Sequence, residues 1–225
     1  MSDPTYVLVP GAGGLAAFWH LVQAELASRG LPSIAVDLPG DDATQGLPEY
    51  VDRIVEAAAG ADDVVLVGQS IGGFSASWAA TLLPASRLVL LNAMIPLPGE
   101  TAGQWWEATG SGEAMRANDI AQGRDPDGGF DPDVYFFHDV PAGALEAGED
   151  RDETDTVFAA PWGPDAWPDV PTVVVAARDD RLFPFEFQQR VARERLGLDV
   201  VEVPGGHLAA LSRPAEVTAA IVGAA

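Results

Sequence analysis

Cysteine and lysine are both missing from the 225 residues, and histidine occurs only three times. Without cysteine there is no disulfide framework and no thiolate chemistry. Positive charge is scarce: 12 arginines face 34 acidic residues, for a formal net charge of −22. Such a balance argues against nucleic-acid backbones and anionic membrane surfaces as partners, and reads as a solubilising surface. Long apolar runs are absent as well; none approaches the ~20 residues that span a bilayer. The opening "MSDPTYVLVPG" lacks the basic region and apolar stretch of a secretory signal. The expectation is a soluble, cytoplasmic protein with no membrane partner. The acidic clusters carry no histidine-rich ligand spacing, so neither a metal nor a cofactor is expected.

What is present is a chain that is 48% hydrophobic, enough to bury one sizeable core, and a single domain over residues 1–225 is expected. Short apolar runs alternate with longer helical patterns. "TYVLVPG" reads as a strand stopped by Pro10 and Gly11. "AAFWHLVQAELASRG" then places Phe18, Leu21, Val22 and Leu26 at helical spacing and closes at Gly30. "PSIAVDLPG", "DDVVLVG" and "SRLVLLNAMIP" read as further strands, with "LPEYVDRIVEAAAG" and "IGGFSASWAATLLP" as the helices between them. The alternation resumes late with the strand "VPTVVVAARDD", the helix "PFEFQQRVARERLG", the strand "LDVVEVPGG" and the helix "RPAEVTAAIVGAA". Val/Leu runs without in-out alternation mark strands buried on both faces, so the sheet is mostly parallel and the class is doubly wound α/β. Residues 97–168 break the pattern with Gly, Pro and Asp and show no strand signal. They read as a cap insertion over one end of the sheet, within which the acidic "EAGEDRDETD" reads as a solvated loop or helix face.

One apolar run is interrupted by "VGQSIGG". Gly68-Gln69-Ser70-Ile71-Gly72 fits the G-x-S-x-G nucleophile elbow, in which a serine occupies a sharp strand-to-helix turn. Flanking glycines leave room for the neighbouring strand and helix, and the next helix aims its positive end at whatever attaches to the hydroxyl. A glycine-flanked serine also serves plain turns; here the strand before it and the helix after it favour the nucleophile. Serine needs a base and an orienting acid. His20 falls inside the first helical pattern, as a surface or packing residue, and His138 lies in the insertion beside Asp139, as a candidate pocket residue. His207 follows the final strand on a glycine loop, at the same sheet edge as Ser70, and is the candidate base. Asp179 and Asp180 end the preceding strand and are the candidate acids, giving the order Ser, Asp, His. The Ile71 amide, next after the nucleophile, is a candidate oxyanion donor. In the insertion, Trp105, Trp106, Phe130, Tyr135, Phe136, Phe137, Phe158 and Trp162 are candidates for an apolar pocket wall, two or three of them reaching substrate while the rest form the insertion's own core.

With "VLVPGAGGLAAFWHLVQAELASRG", "AVDLPG", "LVGQSIGG", "LLNAMIP", "DDRLFPFEFQ" and "GGHLAALSRP", the chain resembles the α/β-hydrolase superfamily. Within it, the chain is similar to the plant methylesterase and hydroxynitrile lyase group and its bacterial relatives. The resemblance implies Asp180, which precedes Pro184 by four residues, as the acid, leaving Asp179 to cap the turn or pair with Arg178 or Arg181. It implies Ala12 as the second oxyanion donor, on a Pro10-Gly11-Ala12 loop that stands where the family carries His-Gly-x. Trp19 matches a family tryptophan and is implied to be structural. Two departures bear on chemistry. Gln69 stands where a histidine often precedes the nucleophile, and Leu208 stands where the lyases carry the lysine that handles cyanide, which counts against cyanohydrin cleavage. The implied activity is hydrolysis of small carboxylic esters through an acyl-enzyme on Ser70, in a monomer or homodimer with a small ester or other apolar molecule as substrate. Alternatives on the same residues are a C–C bond hydrolase, a perhydrolase or haloperoxidase-like enzyme, a cofactor-free oxygenase, or a weakly hydrolytic protein that binds a small ligand.

Overall fold

A β-strand run buried on both sides needs helices on both sides, and the chain supplies them in alternation. A computed structural model of the protein describes residues 3–145 and 151–223. In chain order the elements are β1 Thr5–Val9, a 3-10 turn Ala16–Trp19, α1 His20–Ser28, β2 Ser33–Ala35, α2 Leu47–Ala57, β3 Val64–Gln69, α3 Gly72–Ala79 and β4 Ala85–Leu91. Four helices come next, α4 Ala102–Thr109, α5 Ser111–Ala121, α6 Pro132–Tyr135 and α7 Thr156–Ala159. The last third holds β5 Thr172–Ala177, α8 Phe185–Leu196, β6 Val200–Val203, α9 Ala209–Ser212 and α10 Pro214–Gly223.

The six strands form one sheet in the order β2-β1-β3-β4-β5-β6, and every pairing is parallel. Alternate residues of each strand feed two cores. Val7, Val9, Leu66, Leu88 and Leu90 face α2, α3 and α8, contributing to one core with Tyr50, Ile54, Phe74 and Val191. Leu8, Val65, Val67, Val89 and Leu91 face α1 and α10, with Trp19, Leu26, Val217 and Ile221. The expected doubly wound α/β sheet is therefore present, and Trp19 is one of its largest fully buried side chains.

Parallel register brings the carboxyl ends of the strands to one edge, where Gln69 lies beside Leu91 and Ala177 beside Val203. Ligands of open α/β sheets bind outside that edge. Trp106 of α4, Met115 of α5, Phe136 just after α6 and Phe158 of α7 reach over it beside Ser70, and among the described residues of 97–168 there is no strand, only an isolated bridge between Thr101 and Pro161.

Two expectations need correction. The second strand is only Ser33–Ala35, because the amide of Leu38 leaves the sheet to donate to the Gly14 carbonyl at 2.8 Å. The acidic stretch 146–155 is not uniformly solvated: residues 146–150 lie outside the described residues, but Arg151, Glu153 and Thr154 are partly buried, since they bind the loops after β1 and β2.

Candidate active site

Ser70 follows β3 with a φ of 54°, the left-handed conformation that non-glycine residues adopt rarely and under constraint. The constraint is visible: its amide donates to the Leu91 carbonyl at 3.3 Å, and its carbonyl accepts from Gly73 and Met94 at 3.0 and 2.9 Å. The flanking glycines supply space. A methyl on Gly68 would sit 2.7 Å from the Gly72 carbonyl, and one on Gly72 would strike the carbonyls of Val9 and Pro10.

The sequence separates Ser70, Asp180 and His207 widely, yet the strand ends bring them together. His207 Nε2 is 3.1 Å from Ser70 Oγ, and His207 Nδ1 is 2.9 Å from Asp180 Oδ2. Asp180 Oδ1 also accepts from the amides of Leu182 and Phe183, both at 2.9 Å. With the carboxylate accepting throughout, Nδ1 carries the imidazole hydrogen and Nε2 presents its lone pair to the serine hydroxyl. His207 and Asp180 are 1% and 2% exposed, so water competes little for either contact. Phe136 and Phe183 flank the imidazole, with ring centroids 5.3 and 5.2 Å away. Asp179 instead pairs with Arg178 at 3.5 Å and accepts from the Gly205 amide.

Four polar residues support this arrangement; the sequence singles out Gln69 beside the nucleophile without its partner, and the roles of Asn92, Gln188 and Asp139 escape it. Asn92, with φ 46° at the end of β4, donates to the carbonyls of Gly206 and His207 at 3.2 and 3.1 Å and accepts from the Ala177 amide at 2.7 Å. Gln69 donates to the same His207 carbonyl. Gln188, on α8, donates to Asp180 Oδ2 at 3.3 Å and to the Phe183 carbonyl at 2.7 Å. Asp139 accepts from the Gly206 amide at 2.9 Å. The one local signal was Asn92 itself, since asparagine at a strand end tolerates positive φ.

Ser70 opens into a cavity of about 260 Å³ shared with Ala12, Ile71, Met94, Met115 and Leu182. Its aromatic wall is Trp106, Phe130, Phe136 and Phe158. Among the described residues, the amides of Ala12 and Ile71 donate to no other protein group, which leaves both available beside Ser70. The structure corrects the remaining aromatic expectations. Trp105 is fully buried, donating to the Ile95 carbonyl at 3.1 Å and packing edge-on against Phe183 and Phe187. Trp162 is buried against α3, where its indole donates to the Phe74 carbonyl and to Ser77. Tyr135 turns to Asp119, its hydroxyl donating at 2.7 Å; burial, with that carboxylate, pushes its pKa up. Phe137 is exposed. His138 lines a separate cleft of about 920 Å³ that also holds Asp180, Arg124 and Arg181 but not Ser70; burial first, then the Arg181 charge, holds its pKa down. The larger cavity is therefore not the one that holds the serine.

No group of His, Asp and Glu among the described residues has the geometry of a metal site, and no helix among them is long and apolar enough to cross a membrane.

A pyrethroid hydrolase from Sphingobium wenxiniae is 27% identical, over 98% of this chain and 87% of its own length. Methylesterase 7 of Arabidopsis thaliana is 36% identical, over 40% of each chain. Among solved structures, a pyrethroid hydrolase from Sphingobium faniae superposes with a TM-score of 0.79 at 21% identity, covering 99% of this chain and 97% of its own. Polyneuridine aldehyde esterase superposes at 0.78 and 22%, covering 99% of both chains. These likenesses establish a shared fold. A family model matches residues 6–221, nearly the whole chain, and on that match the protein belongs to the alpha/beta hydrolase family.

Proposed function

We propose that the protein hydrolyses small, uncharged carboxylic esters through an acyl-enzyme on Ser70. The observation that carries this reading is the hydrogen-bonded line from Ser70 through His207 to Asp180, at 3.1 and 2.9 Å, opening into an apolar cavity. His207 Nε2 takes the hydroxyl proton as Ser70 Oγ attacks the ester carbonyl, and the amides of Ala12 and Ile71 donate to the developing oxyanion. The protonated His207 then gives its proton to the departing alkoxide. A water, deprotonated by the same nitrogen, attacks the acyl-serine and releases the acid. Asp180 holds the imidazole in the tautomer that both steps need.

The cavity wall supports the substrate class. None of the side chains lining it carries a charge, Ser70 supplies the hydroxyl, and Trp106, Phe130, Phe136 and Phe158 present apolar faces. A charged acyl group entering would lose its hydration without compensation. The names of the relatives, a pyrethroid hydrolase and a methylesterase, point the same way.

A panel of aryl esters of increasing acyl length, with Ser70→Ala as control, tests the proposal, together with fluorophosphonate labelling of the intact protein. Short-chain turnover that disappears in Ser70→Ala, with label on Ser70, is expected. Ester turnover that survives the substitution would sink it, as would a folded sample that resists labelling.

A further inference from the structure

The oxyanion loop runs Pro10-Gly11-Ala12-Gly13-Gly14, and three glycines in five residues make a segment with little conformational preference of its own. A donor on such a loop is preorganised only if something outside it fixes the backbone. The fixing group comes from far along the chain. Glu153 Oε2 accepts from the Gly13 amide at 3.0 Å, and Glu153 Oε1 accepts from the Tyr50 hydroxyl of α2 at 2.6 Å. Gly14 is committed as well, donating to the Gly11 carbonyl at 3.1 Å. Of the amides at 12, 13 and 14, only that of Ala12 is left for substrate among the described residues.

The residues around Glu153 reinforce the tie. Arg151 donates to the Leu38 carbonyl and to Asp37, and the Thr154 amide donates to the Gly40 carbonyl at 2.9 Å. Thr156 Oγ1 reaches the Ala43 carbonyl at 2.9 Å. Gly13, with φ of 83°, lies so close under the Arg151 carbonyl that a Cβ there would collide with it. The strap 151–156 thus binds the loops after β1 and β2 and continues directly into α7, whose Phe158 forms part of the cavity wall.

We infer that Glu153 is a positioning residue for catalysis: by holding the Gly13 amide against Tyr50, it orients the Ala12 amide toward the oxyanion and links that donor to the cap residue Phe158. This rests on the ester-hydrolase reading above.

The test compares Glu153→Ala, Glu153→Gln and Glu153→Asp in steady-state ester hydrolysis and in hydrogen exchange of residues 10–14. Outright loss of an oxyanion donor lowers kcat about 10²–10³-fold. A donor left present but untethered should lose less, about 10- to 100-fold in kcat with KM within about threefold, because the contact strengthens only in the transition state. Glu153→Gln keeps an acceptor for Gly13 and should restore kcat to within about threefold, with wild-type exchange. Glu153→Asp, which withdraws the carboxylate by one methylene, should behave like Glu153→Ala and supplies the comparison if the alanine protein does not fold. A loss in KM alone, a Gln variant as impaired as the Ala variant, or exchange of residues 10–14 unchanged in the Ala and Asp variants overturns the inference. Full turnover by Glu153→Ala beside an active wild type overturns it alone. A wild type with no Ser70-dependent turnover overturns the ester-hydrolase reading and this one with it.

Discussion

The side-chain amide of Gln69 donates to the backbone carbonyl of His207 at 3.3 Å, while Asn92 donates to the same carbonyl at 3.1 Å. The base of the candidate triad is therefore held by its main chain from the ends of β3 and β4, leaving its ring free to face serine and aspartate. Asn92→Ala would strand the Ala177 amide and put a Cβ residue without polar compensation at φ 46°. Unfolding in urea should show a loss of about 3 kcal/mol. Gln69→Ala, which removes a single donor, should lose about 1–2 kcal/mol.

Asp180→Asn tests the acid. An amide at that position can turn its NH2 toward Nδ1 and favour the wrong imidazole tautomer, and kcat should fall about 10⁴-fold with the fold intact. The neighbouring Asp179→Asn, which touches Arg178 and the Gly205 amide, should leave kcat within about threefold.

The adjacent tryptophans on α4 separate packing from specificity. Trp106 faces the cavity, so Trp106→Ala should shift preference in an aryl-ester panel toward longer acyl chains. Trp105 is wholly enclosed by Phe183, Phe187 and the Ile95 carbonyl. Trp105→Ala should lower stability by about 3–5 kcal/mol, read from the urea midpoint, with chain-length preference unchanged.

Burial raises the pKa of Glu153 above its ordinary 4.5, outweighing the hydrogen bonds from Tyr50, Gly13 and Thr154. An acid whose pKa is higher in the folded protein binds its proton more tightly there, so its contribution to stability is complete below its ordinary value and is lost as pH climbs through the raised one. Against Glu153→Gln, which does not titrate, wild type should therefore lose relative stability as pH rises through and beyond the glutamate's ordinary value of 4.5. Paired urea titrations across that range give the sign directly.

How much of the molecule is legible in its sequence depends on the range of the interaction that fixes each residue. Ser70 is set by its own glycines, and Asp180 and His207 by their places just past the last two strands, so pattern and chain order locate them. Gln69 and Glu153 act through hydrogen bonds to residues distant in sequence, and no local spacing announces such partners; Gln188 reaches only back to Asp180 and Phe183, but which side of α8 meets that turn is not written in the pattern. The cap aromatics fail for another reason. Consecutive residues on a helix point about 100° apart, and without knowing which side of α4 meets the sheet, nothing separates Trp105 from Trp106. Arg151 and Glu153 look like part of a solvated acidic run because composition reports polarity, whereas their burial is imposed by loops that come from elsewhere in the chain.

The apolar cavity also bears on product release. On the proposed ester hydrolysis, the substrate enters uncharged, but the acid it becomes ionises at neutral pH and finds no cation among Trp106, Phe130, Phe136 and Phe158. A carboxylate held there has no counter-ion in the wall, and the surface it leaves across carries a formal net charge of −22, which repels anions. Product inhibition should accordingly be weak, so that the polarity of the cavity wall hastens clearance of the acid while leaving the equilibrium between ester and acid untouched.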